Sequence, residues 1–212
     1  MERKYASKNS LKRIPFYMDY LKQKKQEGEI YISSTLIARG LNLNDVQVRK
    51  DLALVSQTGG KPKVGYVIDE LINDIELFLG CKNTNKSILV GTGSLGRALL
   101  GYQGFNEYGL QIVAAFDSDP SKVGDAIKGI PVLGITEIIY FCKKNEIQIG
   151  IITVPHQSAQ PVCDMLIKAG VKAIWNFAPT KLNVPSDILI QNENMASSLA
   201  VLSRHLNIKM GE

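Results

Sequence analysis

The chain has 212 residues, 45% of them hydrophobic and 21% charged, and a formal net charge of +5. That length accommodates two small domains, each able to bury a core, and the composition is that of an ordinary globular protein rather than a disordered one. No apolar run reaches the roughly 18–20 residues of a membrane helix, and residues 1–8 carry charge without the apolar stretch of a secretory leader, so a cytoplasmic location is expected.

The basicity belongs to one end. Residues 1–66 carry 13 Lys and Arg against 6 Asp and Glu, while the remaining 146 carry 12 against 14. Such an imbalance is the electrostatic footprint of a nucleic-acid module. In that segment Ile14, Tyr17, Met18 and Leu21 fall at i, i+3, i+4 and i+7, an apolar stripe on a predicted helix whose start Pro15 blurs and which Gly28 ends. Ser33, Ser34 and Thr35 offer hydroxyl caps for a short helix through Leu36-Ile37-Ala38-Arg39, stopped by Gly40.

Asn44 or Asp45 then caps a third helix, in which Val48, Leu52 and Val55 share the inner face and Gln47, Arg49 and Lys50 lie outside. This pair of helices is a helix-turn-helix pattern. Its second helix would enter a major groove, where Gln can bond adenine bidentately and Arg can bond guanine or a phosphate, although a solvated helix face carries the same residue types. The run Thr58-Gly59-Gly60-Lys61-Pro62-Lys63-Val64-Gly65-Tyr66 looks like the wing of a winged helix. Lys61 and Lys63 at its tip can lie along phosphates or dip into the minor groove; a basic surface loop is the plain alternative.

A connector helix follows, capped by Asp69, carrying Leu71, Ile72, Ile75, Phe78 and Leu79, and stopped by Gly80. The polar stretch after it places a domain boundary near residue 82. Beyond it, strand-like runs at 87–90, 111–116, 147–154, 171–177 and 188–190 alternate with helical patterns, which predicts a parallel sheet with right-handed crossovers. Gly91-Thr92-Gly93-Ser94-Leu95-Gly96 follows the first strand directly and opens a helix, the context in which spaced glycines let a pyrophosphate approach the backbone.

Asp117 closes the second strand, where an acid hydrogen-bonds the adenine ribose and repels a 2′-phosphate, favouring NAD(H) over NADP(H), with Lys122 nearby as a counterweight. An aspartate in the turn before Asp119-Pro120 is the structural alternative. Thr153-Val154-Pro155-His156 ends another strand at the ligand edge of such a sheet. His156 is given no catalytic role, because only residues 182–191 and one helix follow the nucleotide fold. In that last helix Met195, Leu199, Leu202 and Leu206 form an apolar face that either folds back or packs on a partner; DNA-reading helices act in symmetric pairs, which favours a dimer.

Cys81, Cys142 and Cys163 are odd in number and widely separated, so neither a disulfide framework nor a zinc site is expected, and Cys142 and Cys163 read as core packing.

Taken together, Gln47-Val48-Arg49-Lys50-Asp51-Leu52, Val64-Gly65-Tyr66, Gly91-x-Gly93-x-x-Gly96, Phe116-Asp117-x-Asp119-Pro120, Val154-Pro155 and Asn176-Phe177-Ala178-Pro179 resemble the Rex redox-sensing transcriptional repressors over nearly the whole chain. The resemblance implies a winged-helix DNA-binding domain with connector (residues 1–82), an α/β Rossmann-like NAD(H)-binding domain (83–191) and a C-terminal amphipathic dimerisation helix (192–212). It further implies a homodimer with exchanged C-terminal helices that binds palindromic operator DNA when NADH is scarce and is released when NADH binds. On that basis Gln47, Arg49 and Lys50, with Lys61 and Lys63 of the wing, face DNA. Gly91, Gly93, Ser94, Leu95 and Gly96 cradle the pyrophosphate, Asp117 holds the adenine ribose beside Lys122, Tyr102 takes the place of an aromatic residue near the nicotinamide, and Val154 and Pro155 line the pocket.

Three positions depart from the family pattern, and the wing is one residue longer, with Pro62 in it. Asp19 stands where an arginine is expected, and Asn194-Met195 where an aspartate and an aromatic residue are expected, so an ion pair attributed to those positions cannot form in the same way. An NAD-dependent oxidoreductase, a CoA- or nucleotide-binding accessory protein and a DNA-binding regulator with a degenerate pocket are the competing readings. The first lacks a substrate domain, and the second does not need the basic winged helix.

Overall fold

The computed structural model describes residues 6–211, the side chain of Met195 excepted. The chain divides into two compact units, Met1–Asn83 and Thr84–Glu212.

In the first unit, α1 (Lys8–Gln26) starts with the Ser7 hydroxyl accepting the Ser10 N–H, and then runs through Pro15 without a break. Proline lacks the N–H that would bond the Leu11 carbonyl. The helix persists because Ile14, Tyr17, Met18 and Leu21 are all fully buried, so tertiary packing outweighs one lost bond. Pro15 therefore lies well inside the helix rather than at its start. Next come β1 (Tyr31–Ile32), α2 (Ser34–Gly40, capped by Ser33) and α3 (Asp45–Val55, capped by Asn44, whose side chain accepts the Gln47 N–H at 3.2 Å).

Strand β2 (Tyr66–Val67) pairs antiparallel with β1, closing the base of the wing, and leads into α4 (Ile68–Leu79). The expectation that Asp69 caps α4 is corrected. The cap position is Val67, which makes no side-chain bond, while Asp69 sits in the first turn, where its charge suits the helix dipole and it pairs with Lys25 at 2.7 Å.

The second unit carries β3 (Asn85–Val90), α5 (Ser94–Leu100), β4 (Leu110–Asp117), β5 (Ala126–Ile127), β6 (Ile130–Gly134), α6 (Ile138–Asn145), β7 (Ile149–Ile152), α7 (His156–Lys168), β8 (Ala173–Asn176), β9 (Leu189–Asn192) and α8 (Met195–Met210). The sheet order is β5-β6-β4-β3-β7-β8-β9. From β6 onward all neighbours are parallel, and the order reverses between β3 and β7, the crevice where open α/β sheets bind ligands.

One pairing departs from an all-parallel sheet: β5 and β6 form an antiparallel hairpin absent from the sequence expectation. Its two-residue turn, Lys128-Gly129, has φ of 51° and 82°, the conformation that matches strand twist in a tight hairpin. Pro131 within β6 hides the strand in the sequence, since proline is confined to strand edges and ends.

The sheet faces are unequally covered. Ile138 and Cys142 of α6 and Ala159, Val162, Cys163 and Leu166 of α7 pack over one face against Ile88, Val90, Ala114, Phe116 and Ile152. The other face is smaller, with Leu100 of α5 over Leu89, Ala115, Val132 and Ile151. On that side, Ile149, Ala173, Trp175 and Leu189 line a largely apolar groove of about 510 Å³, with Leu189 73% exposed. Helix α8 also leaves its apolar residues exposed, including Leu199 at 65% and Leu202 at 64%.

Candidate cofactor cleft and nucleic-acid interface

The turn after β3 is shaped by what its glycines allow. Gly91 has φ of +101°, and a Cβ there would lie 2.8 Å from Val154 Cγ1 and 2.9 Å from the Thr153 carbonyl. A Cβ on Gly96 would collide with the Gly91 carbonyl oxygen, so α5 packs against the turn only because that position is bare. Gly93 is different: nothing lies within 4 Å of the Cβ it lacks, which leaves open space above the turn. The Thr153 hydroxyl closes the arrangement by donating to the Gly91 carbonyl at 2.7 Å, tying the end of β7 to the end of β3.

Asp117 stands beside this turn at the end of β4, 8% exposed. Its Oδ2 accepts the Thr92 N–H at 2.8 Å, the Thr92 hydroxyl at 2.6 Å and the Lys122 ammonium at 3.2 Å, while Oδ1 accepts the Asp119 N–H at 3.0 Å. Burial on its own would raise the carboxyl, but the Thr92 hydroxyl, the two backbone N–H groups and Lys122 outweigh it and hold the pKa down at about 2.

A cleft of about 560 Å³ opens at this edge. Gly91, Gly93, Asp117, Lys122, Val154 and Pro155 all line it, with Pro161, Val162 and Met165 supplying an apolar wall. Ser94, Leu95 and Gly96 do not line it; Ser94 is exposed at the start of α5 and Gly96 is buried beneath the turn. Tyr102 is also outside the cleft. It is 59% exposed, stands edge-on to Phe105 with centroids 4.8 Å apart, and begins an aromatic row continuing through Trp175 to Phe177. His156 is exposed at the start of α7. Buried Asn176 holds the following turn, its amide donating to the Thr180 carbonyl and to Asn192 Oδ1 at 2.9 Å each and its oxygen accepting the Ala178 N–H at 3.0 Å.

In the first unit Gln47, Arg49 and Lys50 are exposed on α3, and Val48, Leu52 and Val55 are buried beneath them. The helix is anchored by Asp51, 2% exposed, whose two oxygens accept Arg13 Nε at 2.8 Å and Nη2 at 3.1 Å, and which also accepts the Tyr17 hydroxyl at 2.7 Å. Burial opposes ionisation of Asp51, but Arg13, Tyr17 and Ser10 together leave its pKa below the ordinary value; burial and donation to Asp51 push Tyr17 up to about 12. Lys61 and Lys63 are exposed on the wing, which narrows through reciprocal Lys61–Gly65 backbone bonds of 2.8 and 2.9 Å. Asp19 is exposed on α1, and Asn194 caps α8 by accepting the Ser197 N–H at 2.9 Å.

No sequence motif singles out Thr92 or Thr153 as positioning groups, and Asp51 stands in the sequence only as part of the Gln47–Leu52 run. A threonine inside a glycine-rich turn is a signal, because only a short hydroxyl reaches back to an adjacent strand end. Trp175, the chain's single tryptophan, lies in a run read only as a strand.

Two family models match: "Putative DNA-binding protein N-terminus" over residues 6–53 and "CoA binding domain" over residues 82–180. Redox-sensing transcriptional repressor Rex of Bacteroides thetaiotaomicron is 42% identical over 93% of this chain and 90% of its own length. The chain belongs to the Rex family. Rex of Treponema denticola is 43% identical over 98% of this chain and 99% of its own length. Among solved structures, RSP in complex with beta-NAD+ and operator DNA superposes with a TM-score of 0.91 at 32% identity, covering 97% of this chain and 94% of that one. RSP in complex with beta-NADH gives 0.85 at 33% identity, covering 97% and 96%. Rex proteins are named for repression of transcription, and membership places this chain among regulators rather than enzymes. Among the described residues no helix is long and apolar enough to cross a membrane.

Proposed function

We propose that this Rex-family chain is a cytoplasmic, homodimeric repressor that occupies a palindromic operator when NADH is low and leaves it when NADH binds. The observation that carries the reading is the presence, in one chain, of an exposed polar recognition helix and a glycine-turn cleft at the sheet's switch point. Gln47, Arg49, Lys50, Lys61 and Lys63 meet DNA. Gly91 and Gly93, with Ser94, Leu95 and Gly96 completing the turn, receive the pyrophosphate; the open space at Gly93 fits such a group, while Gly91 and Gly96 are bare so that the turn can close.

Asp117 already holds four donors, about the full capacity of a carboxylate. Three of these crowd Oδ2 and one reaches Oδ1, so ribose hydroxyls donate to the less occupied Oδ1 or displace Lys122, the longest contact and the one on a flexible arm. Asp117 and Asp119 outnumber Lys122 at this corner, which disfavours a 2′-phosphate and selects NAD(H). Val154 and Pro155 line the same cleft, and Tyr102, outside it, serves the switch rather than the adenine half. The bound dinucleotide acts as a signal and undergoes no reaction.

The dimer follows from two unpartnered surfaces, the apolar groove beside β8 and β9 and the exposed leucines of α8, which cover one another when helices are exchanged between subunits. Two recognition helices reach successive major grooves only when about 34–36 Å apart. NADH and DNA therefore act oppositely through subunit orientation, and operator DNA weakens NADH binding by the factor that NADH weakens DNA binding.

The experiment is operator binding at fixed salt with no nucleotide, NAD+, NADH and CoA, salt being held because phosphate contacts make affinity fall steeply with it. Release by NADH supports the reading. Release by CoA alone favours the second reading, which the match of residues 82–180 to a CoA-binding model raises. Indifference to every nucleotide leaves a plain DNA binder.

A further inference from the structure

Asp45, the first residue of α3, holds groups from two helices. Its Oδ2 accepts Arg49 Nη2 at 2.6 Å, one turn along the same helix, and its Oδ1 accepts the Thr35 hydroxyl at 3.1 Å and the Ser34 hydroxyl at 3.4 Å on α2. The hydroxyls tie the carboxylate down, so it cannot follow the arginine outward. The Arg49 side chain is 63% exposed against 34% for Asp45, which leaves the guanidinium tethered at one nitrogen while the rest of its fork faces solvent. The helix does not need Asp45 as its cap, because Asn44 fills that role.

An arginine on a DNA-reading helix has two kinds of acceptor. A phosphate carries a full negative charge, whereas the O6 and N7 of guanine are neutral acceptors matched by the fork geometry. A carboxylate bonded to the guanidinium repels a phosphate drawn to the same group and leaves a neutral base edge nearly unaffected. It also restricts the rotamers through which a long side chain would sweep along the backbone.

We propose that Asp45 directs Arg49 to a guanine edge and away from phosphate, sharpening base discrimination while lowering overall affinity for DNA. This rests on α3 being the helix that reads DNA. Asp45 is thus a specificity-determining residue that acts through Arg49 and touches no base itself.

The test uses the full-length protein and a palindromic duplex selected by the wild type from a random library. Alongside it run duplexes with each G·C pair of the half-site replaced in turn, and a random duplex, titrated from 50 to 200 mM salt by fluorescence anisotropy. Asp45→Ala is expected to bind the random duplex several-fold more tightly, to lose about tenfold of the preference for one G·C pair, and to steepen the log–log salt slope by about 1 as Arg49 gains a phosphate. NADH-driven release is retained, which shows that the variant is folded and competent. Arg49→Ala loses preference at the same base pair. The proposal is overturned if Asp45→Ala keeps the wild-type preference and slope, or weakens selected and random duplexes equally, while Arg49→Ala still impairs DNA binding. If Arg49→Ala binds every duplex as the wild type does, the assignment of α3 to DNA fails as well.

Discussion

Thr92 gives both of its donors to a single oxygen of Asp117, the backbone N–H at 2.8 Å and the hydroxyl at 2.6 Å. The glycine turn is thereby fastened to the end of β4. Thr92→Val keeps the volume and removes the hydroxyl, leaving a buried carboxylate one donor short. We expect a loss of about 1–2 kcal/mol, read as a fall of a few degrees in melting temperature. An unchanged melting temperature would mean that the hydroxyl bond contributes nothing net.

The same contact sets a pH dependence. Asp117 has a pKa of about 2 in the folded chain, below the ordinary value of about 3.9 that it regains on unfolding. Its contribution, on the order of 2 kcal/mol, is fully present above that unfolded value and is lost as pH falls towards about 2. Asp51 is lowered in the same direction and adds to the same window. Asp117→Asn should therefore flatten, without abolishing, the decline of stability between about pH 4 and pH 2. A decline as steep as in the wild type would contradict the assignment.

Gly91 and Gly93 separate folding from binding. Gly91→Ala places a Cβ on a residue at φ +101° against the Thr153 carbonyl and Val154, and should cost about 1–3 kcal/mol of stability. A Cβ at Gly93 meets nothing within 4 Å, so Gly93→Val points its branch into open space. It should melt near the wild-type temperature yet bind NADH at least tenfold more weakly. Normal NADH titration by Gly93→Val would remove the pyrophosphate from this turn.

Arg13 and Asp51 form a largely buried ion pair, and removing one partner leaves the other charged without compensation. Arg13→Met should destabilise the amino-terminal unit by about 3 kcal/mol. DNA affinity falls with it, because α3 loses its anchor to α1, whereas NADH binding in the other unit persists. The double variant Arg13→Met/Asp51→Asn should recover part of the lost stability; no recovery would place the loss in packing rather than charge.

Leu202 is 64% exposed on α8. Leu202→Asp should shift sedimentation from dimer towards monomer and weaken operator binding by tenfold or more, since a single recognition helix reads only half a palindrome. A variant that stays dimeric would show that the subunits meet elsewhere.

Much of this molecule is written in local periodicity. The stripe of Ile14, Tyr17, Met18 and Leu21 specifies one buried helix face, and the glycine spacing after Val90 specifies a turn without Cβ atoms at its two tightest points. Both properties belong to residues a few positions apart, so the sequence determines them by itself. The same holds for the charge imbalance between the two ends.

Tertiary structure alone decided the pairings. Nothing in the spacing of Thr92 and Asp117, 25 residues apart, says that one donates twice to the other, and Pro131 conceals β6, the strand next to the sheet edge. In the sequence Asp45 is a possible helix cap, as is Asn44. Only the packing of α2 against α3 brings the Thr35 hydroxyl to it, whereas its pairing with Arg49, four residues on, is local to α3. Hydrogen bonds and ion pairs act over about 3 Å whatever the separation along the chain, so their partners become definite only when the backbone has closed into a fold.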